Sequence, residues 1–299
     1  MIGAVSMLKD LELKAAAGQA FSAVEAERVL ACADLVSVGT LGELARRAKH
    51  GDVVTFAQVL LVDGADVPST VGAACEVRIT TTPESIDAAC AQVRAVVAVA
   101  GGLPVTGFSV ADLLDLVGGD HLMLAEAARE LHAAGLTGVA FLPVDRCEEP
   151  AELVRALAHG GLEVARATVD RAVTPAERLA CILRVAALQA ETGALRAFAP
   201  LPRFDEADVP STGYDDVRTV AVARLVCANV SSIQVDWAAY GPKLAQVAIA
   251  YGVDDIDNVA AIDTLGLGQR RSPAVDMARQ ISAAFATPAL RNARFEHVP

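Results

Sequence analysis

The sequence predicts an α/β fold, a (β/α)8 or partial TIM-type barrel carrying a helical extension at its N-terminus. Two observations predict it. From Asp52 onward, short β-rich apolar runs alternate repeatedly with amphipathic helical stretches, the signature of a parallel sheet with crossover helices. Hydrophobic residues make up 54% of the 299, enough for a large buried core. One barrel over residues 51–299, preceded by a helical extension over residues 1–50, is the simplest division, because no long linker, low-complexity tract or internal repeat interrupts the chain.

The extension reads as helix throughout. Ser22 with Glu25 three residues on forms a capping-box pattern, and Leu8, Leu11, Leu30, Leu35 and Leu44 recur at helical spacing. The strand runs that follow are Val53–Val62, Cys75–Thr81, Ala95–Val99, Thr137–Leu142, Leu162–Thr168, Leu195–Pro200, Ile233–Trp237 and Ile256–Ile262, with a ninth, weaker run at Pro104–Phe108. Helix starts are marked by Thr82 with Pro83, by Ser109 with Asp112, and by Thr174 with Pro175 and Glu177.

Charge and patterning exclude several function classes. The net charge of −12 disfavours nucleic acid and anionic membrane surfaces as partners. Mean hydropathy is +0.41, yet the most apolar stretch, Ala95–Val105, is broken by Gly101, Gly102 and Pro104 and falls far short of a membrane span. With no signal-peptide core near Met1, a cytoplasmic location is the expectation. The six cysteines lie at positions 32, 75, 90, 147, 181 and 227, none at metal-ligand spacing, and Cys32, Cys90 and Cys181 sit in Ala-rich helical sequence as small hydrophobes. The five histidines form no paired metal motif, and no nucleophile elbow is present. No metal site is therefore expected.

In a barrel, chemistry gathers where strands end. That rule selects Asp63, Asp145, Arg146, Thr168, Asp170, Arg203, Asp236, Trp237 and Asp263, a set able to orient a polar or anionic small molecule. Ordinary solvated loop residues are the alternative reading. The segment Gly266–Pro273 opens the last helix with Arg270 and Arg271 beside it, which makes it an anion-site candidate or a structural cap.

Several segments carry a family resemblance. They are Gln189–Leu201, Val217–Leu225, Trp237-Ala-Ala-Tyr-Gly-Pro-Lys-Leu-Ala-Gln-Val-Ala248 and Gly252-Val-Asp-Asp-Ile-Asp257, joined near the N-terminus by Gly39–Arg47 and His50–Phe56. Together they resemble the menaquinone-pathway radical-SAM enzymes, most of all aminofutalosine synthase, with dehypoxanthine futalosine cyclase and the deazaflavin-forming synthase as relatives. Across the middle, Val105–Ser109 to Ala134–Leu136 fits less tightly. The resemblance implies a radical-SAM-like barrel with C-x3-C-x2-C after its first strand, three thiolates holding a 4Fe–4S cluster. Here that place reads Val62-Asp-Gly-Ala-Asp-Val-Pro-Ser-Thr-Val-Gly-Ala-Ala-Cys75, with a single cysteine, and Ala165–Asp170 stands where the family has a strand end facing the cofactor. Cluster chemistry is accordingly expected to be lost. No cofactor is expected, and S-adenosylmethionine binding is put in doubt.

Two readings stay open. In the first, a pseudoenzyme serves as partner or stabiliser of another protein, an active paralogue or a copy of itself, linked to menaquinone biosynthesis. In the second, a binding protein or non-radical enzyme takes a nucleoside-like or chorismate-derived molecule in the barrel mouth. A general base among Asp145, Asp170 and Asp236 would further require a raised carboxylate pKa.

Overall fold

Strand β1 (Val53–Val62) joins the two ends of the sheet. A computed structural model describes residues 2–64, 67–171, 174–203, 212–262 and 274–298. One flank of β1 pairs with β2 (Glu76–Ile79), from Val59 opposite Glu76 to Val62 opposite Ile79. The other flank pairs with β9 (Asp255–Ala260), from Thr55 opposite Asp255 to Val59 opposite Ala260. Between them run β3 (Val105–Ser109), β4 (Gly138–Pro143), β6 (Arg166–Val169), β7 (Ala197–Pro202) and β8 (Ser232–Asp236), every neighbour parallel. The ring closes through β1, so this is a complete eight-stranded (β/α)8 barrel. A short β5 (Glu163–Val164) pairs with the lower end of β4 and leads into β6.

The lower half of the β1 seam is filled differently. Because β2 begins only at the level of Val59, residues Val53–Phe56 would lack a partner on that side. The C-terminal strand β10 (Thr287–Leu290) takes the place, pairing in parallel from Val53 opposite Thr287 to Phe56 opposite Leu290. The next residue, Arg291, donates its backbone N–H to Phe56 O.

Helices α4 (Ile86–Ala100), α5 (Val110–Leu116), α6 (His121–Ala134), α7 (Pro150–His159), α8 (Pro175–Thr192), α9 (Gly213–Val226), α10 (Trp237–Ile249) and α11 (Ala274–Ala283) connect successive strands. The leading helices are α1 (Ile2–Ala16), α2 (Ala23–Leu30) and α3 (Leu35–His50), with α3 packed between α1 and α9. The Ser22–Glu25 and Thr174–Glu177 capping boxes are both made, each with the two reciprocal hydrogen bonds. No helix among the described residues is long and apolar enough to cross a membrane.

Three sequence expectations are corrected. Ala95–Val99 is not a strand but the last part of α4, which buries Ala89, Cys90, Val93, Val96 and Ala100 at helical spacing and ends on left-handed Gly101. A short apolar run cannot distinguish a buried helix from a strand, and here the weaker Pro104–Phe108 run supplies β3. Helix α4 is capped by Ser85, whose side chain accepts from the Ala88 N–H, and not by Thr82. Ser109 does occupy the N-cap of α5, but its side chain makes no capping bond.

The segment from β1 to β2 has no helix among its described residues 67–75. It lies instead against the end of β9. Ala73 donates its N–H to Ala261 O, and left-handed Gly72 sits where a Cβ would come within 2.7 Å of that same oxygen.

Candidate functional site

Side chains alternate along a strand, so every second residue of each barrel strand points inward. In this barrel many of those positions are charged or amide-bearing. They are Glu76 and Arg78 on β2, Arg166 and Thr168 on β6, Gln234 and Asp236 on β8, and Asp255 and Asp257 on β9. Branched aliphatic layers ordinarily fill such an interior. Here a polar floor is built instead, topped by a cavity of about 180 Å³ at the C-terminal ends of the strands.

Asp257 is the centre of the floor. It accepts from Arg78 Nη1 at 2.8 Å and Nη2 at 3.1 Å, from Arg166 Nη2 at 3.2 Å, and from Arg291 Nη2 at 3.0 Å. Burial alone would raise its pKa, but Arg166, Arg78 and Arg291 outweigh burial and hold the carboxyl far below the usual range. Below it, Asp255 accepts from Arg291 Nε at 2.6 Å, from Arg291 Nη2 at 2.7 Å and from Gln234 Nε2 at 2.6 Å. Glu76 accepts from Arg78 Nε at 2.8 Å and from Thr106 Oγ1.

The cavity walls come from several strand ends. β6 supplies Arg166 and Thr168, β8 supplies Gln234 and Asp236, and Arg203 follows β7. Asp257 and the next residue, Asn258, both line the cavity, although consecutive strand residues should face opposite sides. The register explains it: Phe56 pairs with Ile256 but Gln58 with Val259, so β9 carries one extra residue there. Asn258 takes a left-handed backbone there (φ 59°), a conformation that asparagine tolerates better than most residues. Its Nδ2 then donates to both oxygens of Asp236, at 3.2 and 3.0 Å. The apolar side is formed by Leu61, Ala199, Leu201, Pro202 and Tyr240, whose hydroxyl donates to Pro202 O at 2.6 Å.

The interior cations divide into two kinds. Arg78 and Arg291 are raised above their ordinary pKa because carboxylates outweigh burial. Arg166 and Arg203 are lowered: burial comes first for both, and the Arg78 cation adds to it at Arg166. Arg203 stacks 3.7 Å from the centre of the Phe141 ring and donates to Asp170 at 3.1 Å. Asp170 and Asp236 are both raised, first by burial, with Asp257 adding to the effect at Asp236.

The residues selected from sequence fall in different places. Thr168, Arg203 and Asp236 line the cavity. Asp170 lies behind it, paired to Arg203 and to Arg146, and Arg146 also reaches Asp112 and Asp115 at the rim. Asp145 does not line the cavity. It accepts from the backbone N–H groups of Asp170 at 2.9 and 3.1 Å and of Arg171 at 2.6 Å, which orients the end of β6. Trp237 is packed in the core, 2% exposed, and Asp63 is exposed in the loop after β1. Arg270, Arg271 and Asp263 lie outside the described residues. Sequence reasoning missed Arg78, Arg166, Gln234, Asp257 and Asn258. The signal was there, because Glu76-x-Arg78, Arg166-x-Thr168 and Asp255-x-Asp257 place polar residues at period two inside otherwise apolar strands.

The side chains present do not fit a 4Fe–4S cluster. Cys75 stands before β2, its N–H donating to Gln58 O, well below the strand ends, and burial pushes its thiol upward. Cys90 lies within α4 and Cys181 within α8, while Cys147 follows β4 and Cys227 caps α9. Burial pushes Cys147 and Cys227 up to about 12 and Cys181 to about 11, away from the thiolate form that ligates metal. Among the described residues no group of three or more His, Cys, Asp or Glu side chains is placed to hold a metal ion.

Comparison with known proteins agrees with this architecture. No protein-family model matches the chain. It is 27% identical over 202 residues to cyclic dehypoxanthine futalosine synthase of Streptomyces coelicolor, covering 58% of this chain and 49% of that protein. It is 29% identical over 181 residues to aminodeoxyfutalosine synthase of Thermus thermophilus, covering 52% and 49% respectively. The chain thus spans about half the length of these curated relatives. Among solved structures, methylornithine synthase superposes with a TM-score of 0.65 over 93% of this chain and 97% of that one, at 12% identity. The hydrogenase maturase HydG gives a TM-score of 0.64 over 94% and 74%, also at 12%. These two likenesses establish the fold.

Proposed function

We propose that this chain is a radical-SAM-like pseudoenzyme, related to the futalosine synthases, that has given up cluster chemistry and holds a small polar molecule in its barrel mouth. The observation that carries the reading is the cavity itself. Three arginines, two carboxylates and an apolar wall converge on it, while no set of thiolates gathers near the end of β1. A ring-bearing ligand with polar or anionic substituents suits those walls, with the ring against Leu201, Pro202 and Tyr240 and the charged part toward the arginines. The names of the sequence relatives point to futalosine-type compounds, and the sequence resemblance extends the proposal to nucleoside-like or chorismate-derived ligands linked to menaquinone. Asp236 and Arg203 would orient such a ligand, and no radical step is assigned.

Thermal unfolding against S-adenosylmethionine, aminodeoxyfutalosine-type nucleosides and chorismate-derived acids tests this reading. A ligand at 100 times its Kd adds about 2.7 kcal/mol, a rise of several degrees for a chain of this size. The expected result is a saturable rise with a nucleoside or an acid, and no cluster absorbance after anaerobic incubation with iron and sulfide. A reconstituted cluster with S-adenosylmethionine cleavage would refute it.

A second reading, stabilisation of an active paralogue or of a second copy, draws on the exposed Leu13, Val24 and Val36 of the leading helices. Size-exclusion chromatography alone and with the paralogue tests it.

A further inference from the structure

Thr168 holds an unusual place in the cavity wall. It is 1% exposed, and its hydroxyl has no hydrogen-bond partner among the described residues. A buried hydroxyl left without a partner costs stability, so a structural role would be served better by valine. Two residues below it on the same face of β6 stands Arg166. That guanidinium commits Nε to Gln234 at 2.8 Å and Nη2 to Asp257 at 3.2 Å, and the described residues supply no acceptor for Nη1. Arg203 forms the neighbouring wall over Phe141. Within one corner, then, lie an unpartnered donor, a buried cation with donor capacity to spare, and a second cation.

We infer that the Arg166–Thr168–Arg203 corner is a carboxylate subsite, with the Thr168 hydroxyl as its specificity-determining donor. A planar carboxylate has acceptor lone pairs for a guanidinium edge and a hydroxyl together. Rotation about the Thr168 Cα–Cβ bond exchanges its methyl and hydroxyl between staggered positions, which brings the donor to the ligand. The lowered pKa values of Arg166 and Arg203 agree, since an incoming anion relieves their desolvation. Asp257 already takes Nη2 of Arg166, at 3.2 Å, so an incoming anion is left the Nη1 side of that guanidinium.

This assignment rests on the cavity-binding reading above, and the experiment separates the two. Benzoate, its neutral analogue benzamide and inorganic phosphate are titrated calorimetrically into wild-type protein, Thr168→Val and Thr168→Ser. Benzoate should bind at least tenfold more tightly than benzamide. T168V should lose at least tenfold in benzoate affinity with its unliganded Tm unchanged or higher, and T168S should retain binding. Equal binding of benzoate and benzamide, or an unaffected T168V, would overturn the subsite and leave the cavity reading standing. Tighter binding of phosphate than of benzoate would overturn the carboxylate assignment. No binding of any probe overturns the subsite, and the cavity reading falls with it only if the nucleosides and chorismate-derived acids also fail to shift the Tm.

Discussion

Asp257 shows how much depends on a single side chain here. One carboxylate faces guanidinium groups from β2, from β6 and from the residue after β10. Removing one member of a buried ionic set leaves the others desolvated and uncompensated, at a cost of about 3–5 kcal/mol. Asp257→Asn keeps the shape but not the charge, so urea unfolding should show a loss of that size, with the m-value unchanged. Because the folded pKa of Asp257 lies below its ordinary value, its contribution is complete above the unfolded pKa near 3.8 and is lost as pH falls below it. At this scale the sequence was partly legible. Thr168, Arg203 and Asp236 could be found from the rule that strand ends carry chemistry. Arg166 and Arg78 could not, because Arg166 opens β6 and Arg78 stands one residue before the end of β2, where the same rule expects packing.

At the scale of the element, α3 is tied to the chain beyond α9 by the side chains of its last two residues. Lys49 Nζ donates to Ala228 O at 2.7 Å and to Val230 O at 2.6 Å, and His50 Nε2 meets Ser231 O at 2.8 Å. The His50 ring also lies 3.3 Å from Asp254, yet burial, then Arg224, Lys49 and Arg46, hold its pKa down to about 4. Between pH 4 and 6.5 the unfolded chain therefore binds more protons at this site than the folded one does. Stability should rise with pH across that window and be lost as pH falls through it, by at most about 3 kcal/mol. His50→Gln keeps an amide donor for Ser231 and should flatten the pH dependence of urea unfolding between 4 and 6.5. The capping boxes at Ser22 and Thr174 were readable because such motifs are local. The Ala95–Val99 segment was not, since only its place between Ser85 and Gly101 makes it a helix.

At the scale of the whole molecule, closure depends on the far end of the chain. Strand β10 covers the lower part of β1, and Arg291 then reaches inward to Asp255 and Asp257. A chain ending at Ala286 would expose the edge of β1 and leave two interior carboxylates short of a cation. It should lose cooperative urea unfolding. Arg291→Met, which keeps the strand and removes the charge, should stay cooperative but fall by several kcal/mol. If both variants unfold like the parent, the C-terminal strand has no part in closing the barrel.

Sequence alone established that the chain alternates strands and helices, carries enough apolar residues for a large core, and has Cys75 as the single cysteine between residues 51 and 89. Those properties are local, or are sums over residues. Only the tertiary structure decided that the ring closes, that a bulge at Asn258 turns two consecutive residues into one cavity, and which arginine meets which carboxylate. The physical reason is that barrel closure brings inward positions from every strand together. A charge on β2 finds its partner on β9, 179 residues away, and no pattern along the chain records that distance.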